Sequence, residues 1–443
     1  EGVIRAQSMT ERNGVVVLSG GSEGIVSVSG TIDASGTGSG QTGGSVNVLG
    51  QYVGLFGGHI TASGDAGGGT VLVGGDAHGQ GTVQNATVTY VSKDSTINAD
   101  AFTNGNGGKV IVWADDTTRS YGAITARGGA QLGNGGFIET SGKRYLEVGI
   151  PADAHAPKGK AGQWLLDPAN VEITADDPIV TGNVNVDTLA NTPVAGTTTF
   201  SPFEAAIGAN TAKVSNGVIN AALNLATNVV VDTVSAGNAE AGNITVTGAI
   251  SKTLGLGATL ALNADNDIIV NNTIGSTSGT LGVTLNANRN ISVNSSISSN
   301  GGTITLNGGI TTGATITIAA SISGGTVNIN GGANNDSFVF SSAPAITATV
   351  AGGGGTDTLT GRDVANTWNI TANNAGNVNS AIAFTNVENL TGGTNTDAFV
   401  FSNGVGVSGN IDGAGNTDTL NYAAYTTNVA VALTSNNGGT ATG

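Results

Sequence analysis

The chain has no cysteine, and its 443 residues include only 7 prolines, 1 methionine and 4% aromatic side chains. Without cysteine there is no disulfide framework, no thiolate metal centre and no thiol nucleophile. A chain free of covalent loops also threads readily through a membrane pore, which agrees with export. The shortage of aromatics excludes a thick globular core and points to a thin, tightly stacked one. Charged residues make up only 10%, so charge-driven disorder is excluded. Basic residues number 14 against 30 acidic ones, giving a formal net charge of −16. That balance argues against nucleic acid and against charge-driven binding to anionic membranes. After Lys252 only Arg289 and Arg362 remain. No apolar run approaches the roughly 20 residues of a membrane-spanning helix. No signal peptide is visible and the only methionine stands at position 9, so the chain is expected to be a piece of a longer protein.

What the chain has instead is glycine, 73 residues, about twice the usual share. The glycines fall in a repeated phrase: Gly44-Ser45-Val46-Asn47-Val48, Gly69-Thr70-Val71-Leu72-Val73, Gly108-Lys109-Val110-Ile111-Val112 and Gly136-Phe137-Ile138-Glu139-Thr140. Each sets a glycine pair before a short strand of period two. A second phrase interleaves with it, at Thr31–Gly36, Ile60–Gly64 and Ile124–Gly128. Short strands with glycine corners, recurring every 20 to 30 residues, predict a solenoid. The expected class is all-β, a parallel β-helix whose rungs bury their apolar faces on one another. Val46, Val71, Val110 and Phe137 are expected to share one inward-facing column. At about 4.8 Å per rung, some 20 rungs would make a rod of roughly 90–100 Å.

Four stretches differ in texture. Residues 1–150 hold the glycine-rich rungs. Residues 151–240 carry six of the seven prolines and are expected to form an irregular connecting segment with a short helical excursion near 200–226. Within it, 203–209 suits a helical turn, and Val218, Ala221, Ala222 and Leu225 have helical spacing. Residues 241–330 resume the strands. Residues 331–443 contain a longer repeat, in which GGANNDSFVF at 331–340 returns as GGTNTDAFVF at 392–401. Asp336 to Asp397 and Asp357 to Asp418 are both 61 positions, read as three rungs of about 20.

These turns, a glycine pair followed by Asp and an apolar residue, resemble the calcium-binding nonapeptide of RTX β-rolls. Asp336, Asp357, Asp397 and Asp418 are therefore the candidate calcium ligands, two shared sites if neighbouring turns stack. The same residues suit a bare corner whose carboxylate accepts backbone N–H groups. His59, His78 and His155 lie far from one another in sequence and read as surface residues. The doublets Asp115-Asp116 and Asp176-Asp177 read as loop residues, because adjacent strand positions face opposite ways. Lys143, Arg144, Lys158 and Lys160 read as solvated charge. Trp113 and Trp164 read as rung-stacking residues. No Ser-His-Asp order and no phosphate loop emerges, so no enzymatic activity is expected.

Two segments, GGKVIVWADDTTRSYGAITARGG with GNGGFIETSGK at 107–143 and GKAGQWLLDPANVEI at 159–173, resemble the filamentous haemagglutinin-like exoproteins of bacterial two-partner secretion. The similar material runs from about residue 14 to 173, and 217–330 is similar in style to the next region of such proteins. The resemblance implies a right-handed parallel β-helix, export across an outer membrane and a place at the cell surface. It implies an outer-membrane transporter partner that reads a separate N-terminal domain carrying Asn-Pro-Asn motifs. No such tripeptide occurs here, so the chain is expected to lie downstream of that domain. The expected function is that of a secreted surface rod or filament. Its expected partners are a glycan, a matrix protein or other copies of itself. The alternatives are a calcium-dependent surface-layer filament and a polysaccharide-active β-helical enzyme.

Overall fold

The computed structural model describes residues 3–5, 14–175, 211–233, 241–341, 346–435 and 438–442. Strand accounts for 45% and helix for 3%, and the long sheets are built from parallel strands, so the fold is an all-β parallel β-helix. Two compact units divide it: residues 1–265 with 271–282, and residues 266–270 with 283–443.

In the first unit each of the first four rungs contributes one strand to each of three parallel sheets, and the long sheet continues beyond them. The longest sheet stacks Val15–Ser19, Ser45–Leu49, Thr70–Val73, Lys109–Ala114, Phe137–Gly142, Gln163–Leu166 and Asn228–Asp232. A second stacks Thr31–Asp33, His59–Thr61, Thr96–Asn98 and Ala123–Thr125. A third stacks Ile25–Val28, Tyr52–Leu55, Val88–Val91, Thr117–Ser120 and Tyr145–Val148.

The glycine pairs sit where the first and second of these sheets meet at a corner. The second glycine of each pair donates across the corner to a buried alanine of its own rung: Gly69 N–H to Ala62 O and Gly108 N–H to Ala99 O, both at 2.7 Å. A Cβ on Gly69 would lie 1.9 Å from Gly44 O, and one on Gly108 would lie 2.1 Å from Gly69 O. The rungs therefore close against bare backbone, which only glycine allows. This explains the pairing of glycines, since the first glycine of each pair meets the same limit (Gly68 at 1.9 Å from Ala99 O).

Beyond the corner the strands alternate. Val46, Val71 and Val110 form one column with Ile138 and Trp164, all fully buried. Ile32, Ile60, Ile97 and Ile124 form another. Burial of each such side chain stabilises the fold by about 1.5–3 kcal/mol. Phe137 does not belong to the inward column. It is in register with Lys109, one position before Val110, and faces outward. With a period of two, a one-residue offset puts a side chain on the opposite face.

The described residues of 151–240 include regular parallel strands. Gln163–Leu166 and Asn228–Asp232 are in-register rungs of the long sheet, and Val171–Thr174 pairs in parallel with Ala212–Ser215 and Ile244–Val246. The helix is Asn216–Asn224, capped by Ser215, whose hydroxyl accepts from Gly217 N–H. Its buried face is Val218, Ile219, Ala222 and Leu223, while Leu225 lies outside and is exposed. The helical turn expected at 203–209 lies outside the described residues.

The second unit keeps parallel stacking along a column of Ile291, Ile316, Phe338, Leu359 and Leu390. It departs from parallel order in two places. Thr367–Ala372, Ala375–Val378 and Ile382–Thr385 form an antiparallel meander, and Ala430–Ser435 pairs antiparallel with Gly438–Thr442. The meander breaks the expected division of the 61-residue repeat into three equal rungs. The two copies consequently fall in different sheets: Ser337–Phe340 stacks on Thr358–Thr360, whereas Ala398–Phe401 stacks between Thr367–Ala372 and Thr419–Asn421.

The register makes a direct prediction. Val110→Asp should cost several kcal/mol, because it buries an unpaired carboxylate. Gly108→Ala should also destabilise strongly through the backbone overlap. Phe137→Ser, on the outer face, should cost only about 1 kcal/mol. Thermal melting of the three variants checks the order, and equal losses at Val110 and Phe137 would reject the register.

Candidate functional site

The four candidate calcium ligands lie in two stacked pairs of turns in the second unit. Asp336 neighbours Asp357, and Asp397 neighbours Asp418, as the register of the strands after them requires. Their carboxylates are engaged by backbone. Asp336 accepts from Ala314 N–H and Gly332 N–H, both at 2.7 Å. Asp357 accepts from Asp336 N–H at 2.8 Å. Asp397 accepts from Gly393 N–H at 2.8 Å and Asn366 N–H at 2.9 Å, and Asp418 from Asp397 N–H at 2.8 Å. Glu388 continues the first series by accepting from Asp357 N–H at 2.9 Å. Each carboxylate thus reaches back one rung, or across its own turn, and takes an amide the corner leaves without a strand partner. Glu388 and Asn366 belong to these ladders, but neither sits in a repeat of the glycine-aspartate phrase, so sequence periodicity could not find them.

Burial pushes the Asp357 carboxyl up to about 6 and raises that of Asp336. The fold therefore favours protonated Asp357. That contribution is complete below about pH 4 and is lost as pH rises through about 6.

A second arrangement runs along the glycine corners of the first unit, an open groove of about 580 Å³. Its floor is the paired glycines, and its wall is the row of first outward residues of successive strands: Thr70, Lys109, Phe137, Gln163 and Asn228. The Lys109 ammonium is held 2.6 Å from Asp76. A partly buried phenyl ring thus stands between an ammonium and an amide, one side chain per rung.

The third arrangement has no signature in the sequence. The segment after Gly74 leaves the long sheet, crosses its outer face and rejoins the rung at Val88. Ala77 and Val83 of this excursion pack with Phe137 over Leu72, Ile111 and Trp113, making an apolar cluster outside the main core. Trp113 therefore stacks beneath a loop, while Trp164 stacks inside the rungs and donates to Thr140 Oγ1 at 2.9 Å. At the tip His78 has φ of +54°, a left-handed conformation unusual for histidine. Its N–H donates to Glu139 Oε1 at 3.1 Å, and its Nδ1 lies 3.0 Å from Asp167 Oδ2. Glu139 and Asp167 have no solvent exposure, whereas the His78 side chain is one-third exposed (34%). Burial pushes Glu139 up to about 7, and the hydrogen bond to Asp167 raises His78. Among the described residues this is the one group of three His, Asp or Glu side chains able to converge on a single ion.

The remaining candidates disperse. His59 bonds Thr96, and His155 bonds Asp153. Asp115 accepts from Trp113 Nε1, while its neighbour Asp116 pairs with Arg144, so the doublet splits as expected. Asp176 and Asp177 lie outside the described residues. Neither a protein-family model nor a curated protein matches the chain. No helix among the described residues is long and apolar enough to cross a membrane.

Two outcomes are expected for the aspartate ladder. Asp357→Asn keeps an acceptor for Asp336 N–H and should flatten the fall in melting temperature between pH 4 and 6. Because the amides already engage these carboxylates, melts of the whole protein in millimolar calcium and in chelator should coincide. A calcium-dependent rise abolished by Asp336→Asn would instead assign the turns to the ion.

Proposed function

We propose that this chain is a segment of a secreted, non-enzymatic surface filament of the filamentous haemagglutinin-like kind, and that it attaches to an extended glycan through the glycine-cornered groove. The observation that carries the reading is the in-register row Lys109, Phe137, Gln163 and Asn228 beside a floor made mostly of glycine. A linear polymer lying along the stacking direction would meet one wall residue about every 4.8 Å. The aromatic ring offers an apolar platform, and its neighbours offer hydrogen bonds at fixed intervals. The solenoid makes such a surface rigid, because every rung is held by the two beside it.

Two features support placement outside the cell. The chain has no cysteine to trap during export, and the motifs at 107–143 and 159–173 resemble exported proteins of that kind. In this reading the transporter partner acts on a region outside these residues, and the segment described here is the part presented to the ligand.

Binding of the purified chain to an array of glycans and matrix proteins tests the proposal. A linear glycan should be retained, and Phe137→Ala or Gln163→Ala should weaken it about tenfold. Retention unchanged by both substitutions would move the adhesive surface elsewhere. Retention of no glycan would reject the glycan assignment, and retention of neither a glycan nor a matrix protein would reject the adhesive reading.

A further inference from the structure

Glu139 and Asp167 stand on the outer face of the long sheet, where a strand side chain ordinarily meets water. Here the excursion after Gly74 covers them. Glu139 occupies the column of Leu72, Ile111 and Leu165, apolar residues at every neighbouring rung. Asp167 comes directly after Leu166 at the end of its strand, and its N–H donates to Ser141 Oγ at 3.2 Å. Two carboxylates without solvent exposure are thus held beside the imidazole of His78. The Asp232 carboxylate also acts on His78 and adds further negative charge.

We propose that His78, Glu139 and Asp167 bind a divalent transition-metal ion, zinc in the first instance, which fastens the excursion to the sheet. The donor set of one imidazole nitrogen and two carboxylates suits zinc or manganese and is poorly matched to calcium, which takes oxygen ligands. The ligand atoms all lie within 4.8 Å of one another. The His78 Nδ1 to Asp167 Oδ2 separation of 3.0 Å is close to the ~3.3 Å between two ligands of a tetrahedral ion bound at about 2.0–2.1 Å. Glu139 joins the same ion by a side-chain adjustment that draws its carboxylate, already within 4.8 Å of the other two ligand atoms, closer to them. The exposed edge of His78 leaves a route for the ion.

The support around the site is already rigid. Asp76 accepts from Ala77 N–H at 2.7 Å and pairs with Lys109, fixing the residue two before His78. Asn85 Nδ2 donates to Gly79 O at 2.8 Å and to Asp115 Oδ1 at 3.1 Å, fixing the residue after it. The Trp113 indole lies so close under Gly79 that a Cβ there would fall 2.7 Å from its ring. Three ligands from three separate rungs are brought together by these contacts without the ion. Binding therefore asks for little reorganisation, and it ties an excursion of one rung to two later rungs.

Equilibrium dialysis of the whole protein against zinc, with manganese and calcium as comparisons, tests this. One zinc per chain should be retained, calcium should not compete at equal concentration, and the melting midpoint should rise by several degrees with zinc in hundredfold excess over its Kd. Glu139→Gln is isosteric, and His78→Ala is confined to the loop tip. Either should lower zinc affinity at least tenfold while leaving the circular dichroism spectrum unchanged. X-ray absorption of the loaded protein should show a nitrogen and oxygen shell containing one imidazole. Zinc retained equally by wild type and His78→Ala would place the ion elsewhere and overturn the assignment. Absence of retention by wild type would overturn it as well, leaving the trio as a proton-sharing clasp.

Discussion

The structure of the first unit depends on how closely one rung can approach the next at its corners. Parallel strands must lie about 4.8 Å apart to pair. At the corner the backbone turns toward the rung beneath, and the room left is too small for a Cβ: carbonyl oxygens of the preceding rung or of the facing alanine stand about 2 Å from where it would be. Glycine pairs answer both contacts. Their N–H groups in turn close the corner onto buried alanines, so the same residues that remove bulk also supply the hydrogen bonds. Once the corners are set, the strand register is set with them, and the valine and isoleucine columns assemble without further specification.

The two faces of the long sheet then serve different purposes. The inner face is uniform, since any side chain there must match the rung above and the rung below. The outer face is free of that constraint and carries the variety: a lysine, a phenylalanine and a glutamine in one column, and a leucine, an isoleucine and a glutamate in the next. Where the excursion after Gly74 folds over that face, Ile111 and Trp113 become buried although they point away from the core. The same cover removes water from Glu139 and raises its pKa. The chemistry of the unit is concentrated where a loop turns an exterior surface into an interior.

The second unit solves the corner problem with carboxylates. Asp336, Asp357 and Glu388 in one series, and Asp397 and Asp418 in the other, bond the amides that the turn leaves over. Asparagines do similar work on the strands, with Asn330 donating to Asn307 and Asn307 to Asn286. Trp368 stacks on Phe399 with ring centroids 5.4 Å apart and meets Phe384 edge-on at 6.3 Å, filling the core beside the antiparallel meander. A unit with larger core residues and a hairpin is less strictly periodic, and its two sequence copies accordingly occupy different sheets.

Sequence by itself determined the class of fold, the approximate rungs and the pairing of Asp336 with Asp357 and Asp397 with Asp418. These rest on local rules: a period of two, glycine where backbone meets backbone, and fixed spacing between like turns. It also placed one helix near its observed position, though with a different buried face. Phe137 is on the opposite face from the expected column because it stands one position after its glycine pair, whereas Val46, Val71 and Val110 stand two positions after theirs; counted from the glycines, the inward residue is Ile138. The meander at 367–385 is hidden in the sequence because antiparallel and parallel strands have the same alternation. Only tertiary structure could join His78, Glu139 and Asp167. They stand 61 and 28 positions apart along the chain, in rungs of unequal length, and nothing in local spacing brings them together. Stacking puts Glu139 and Asp167 on one face, and an excursion held by Asp76, Asn85 and Trp113 lowers His78 onto them.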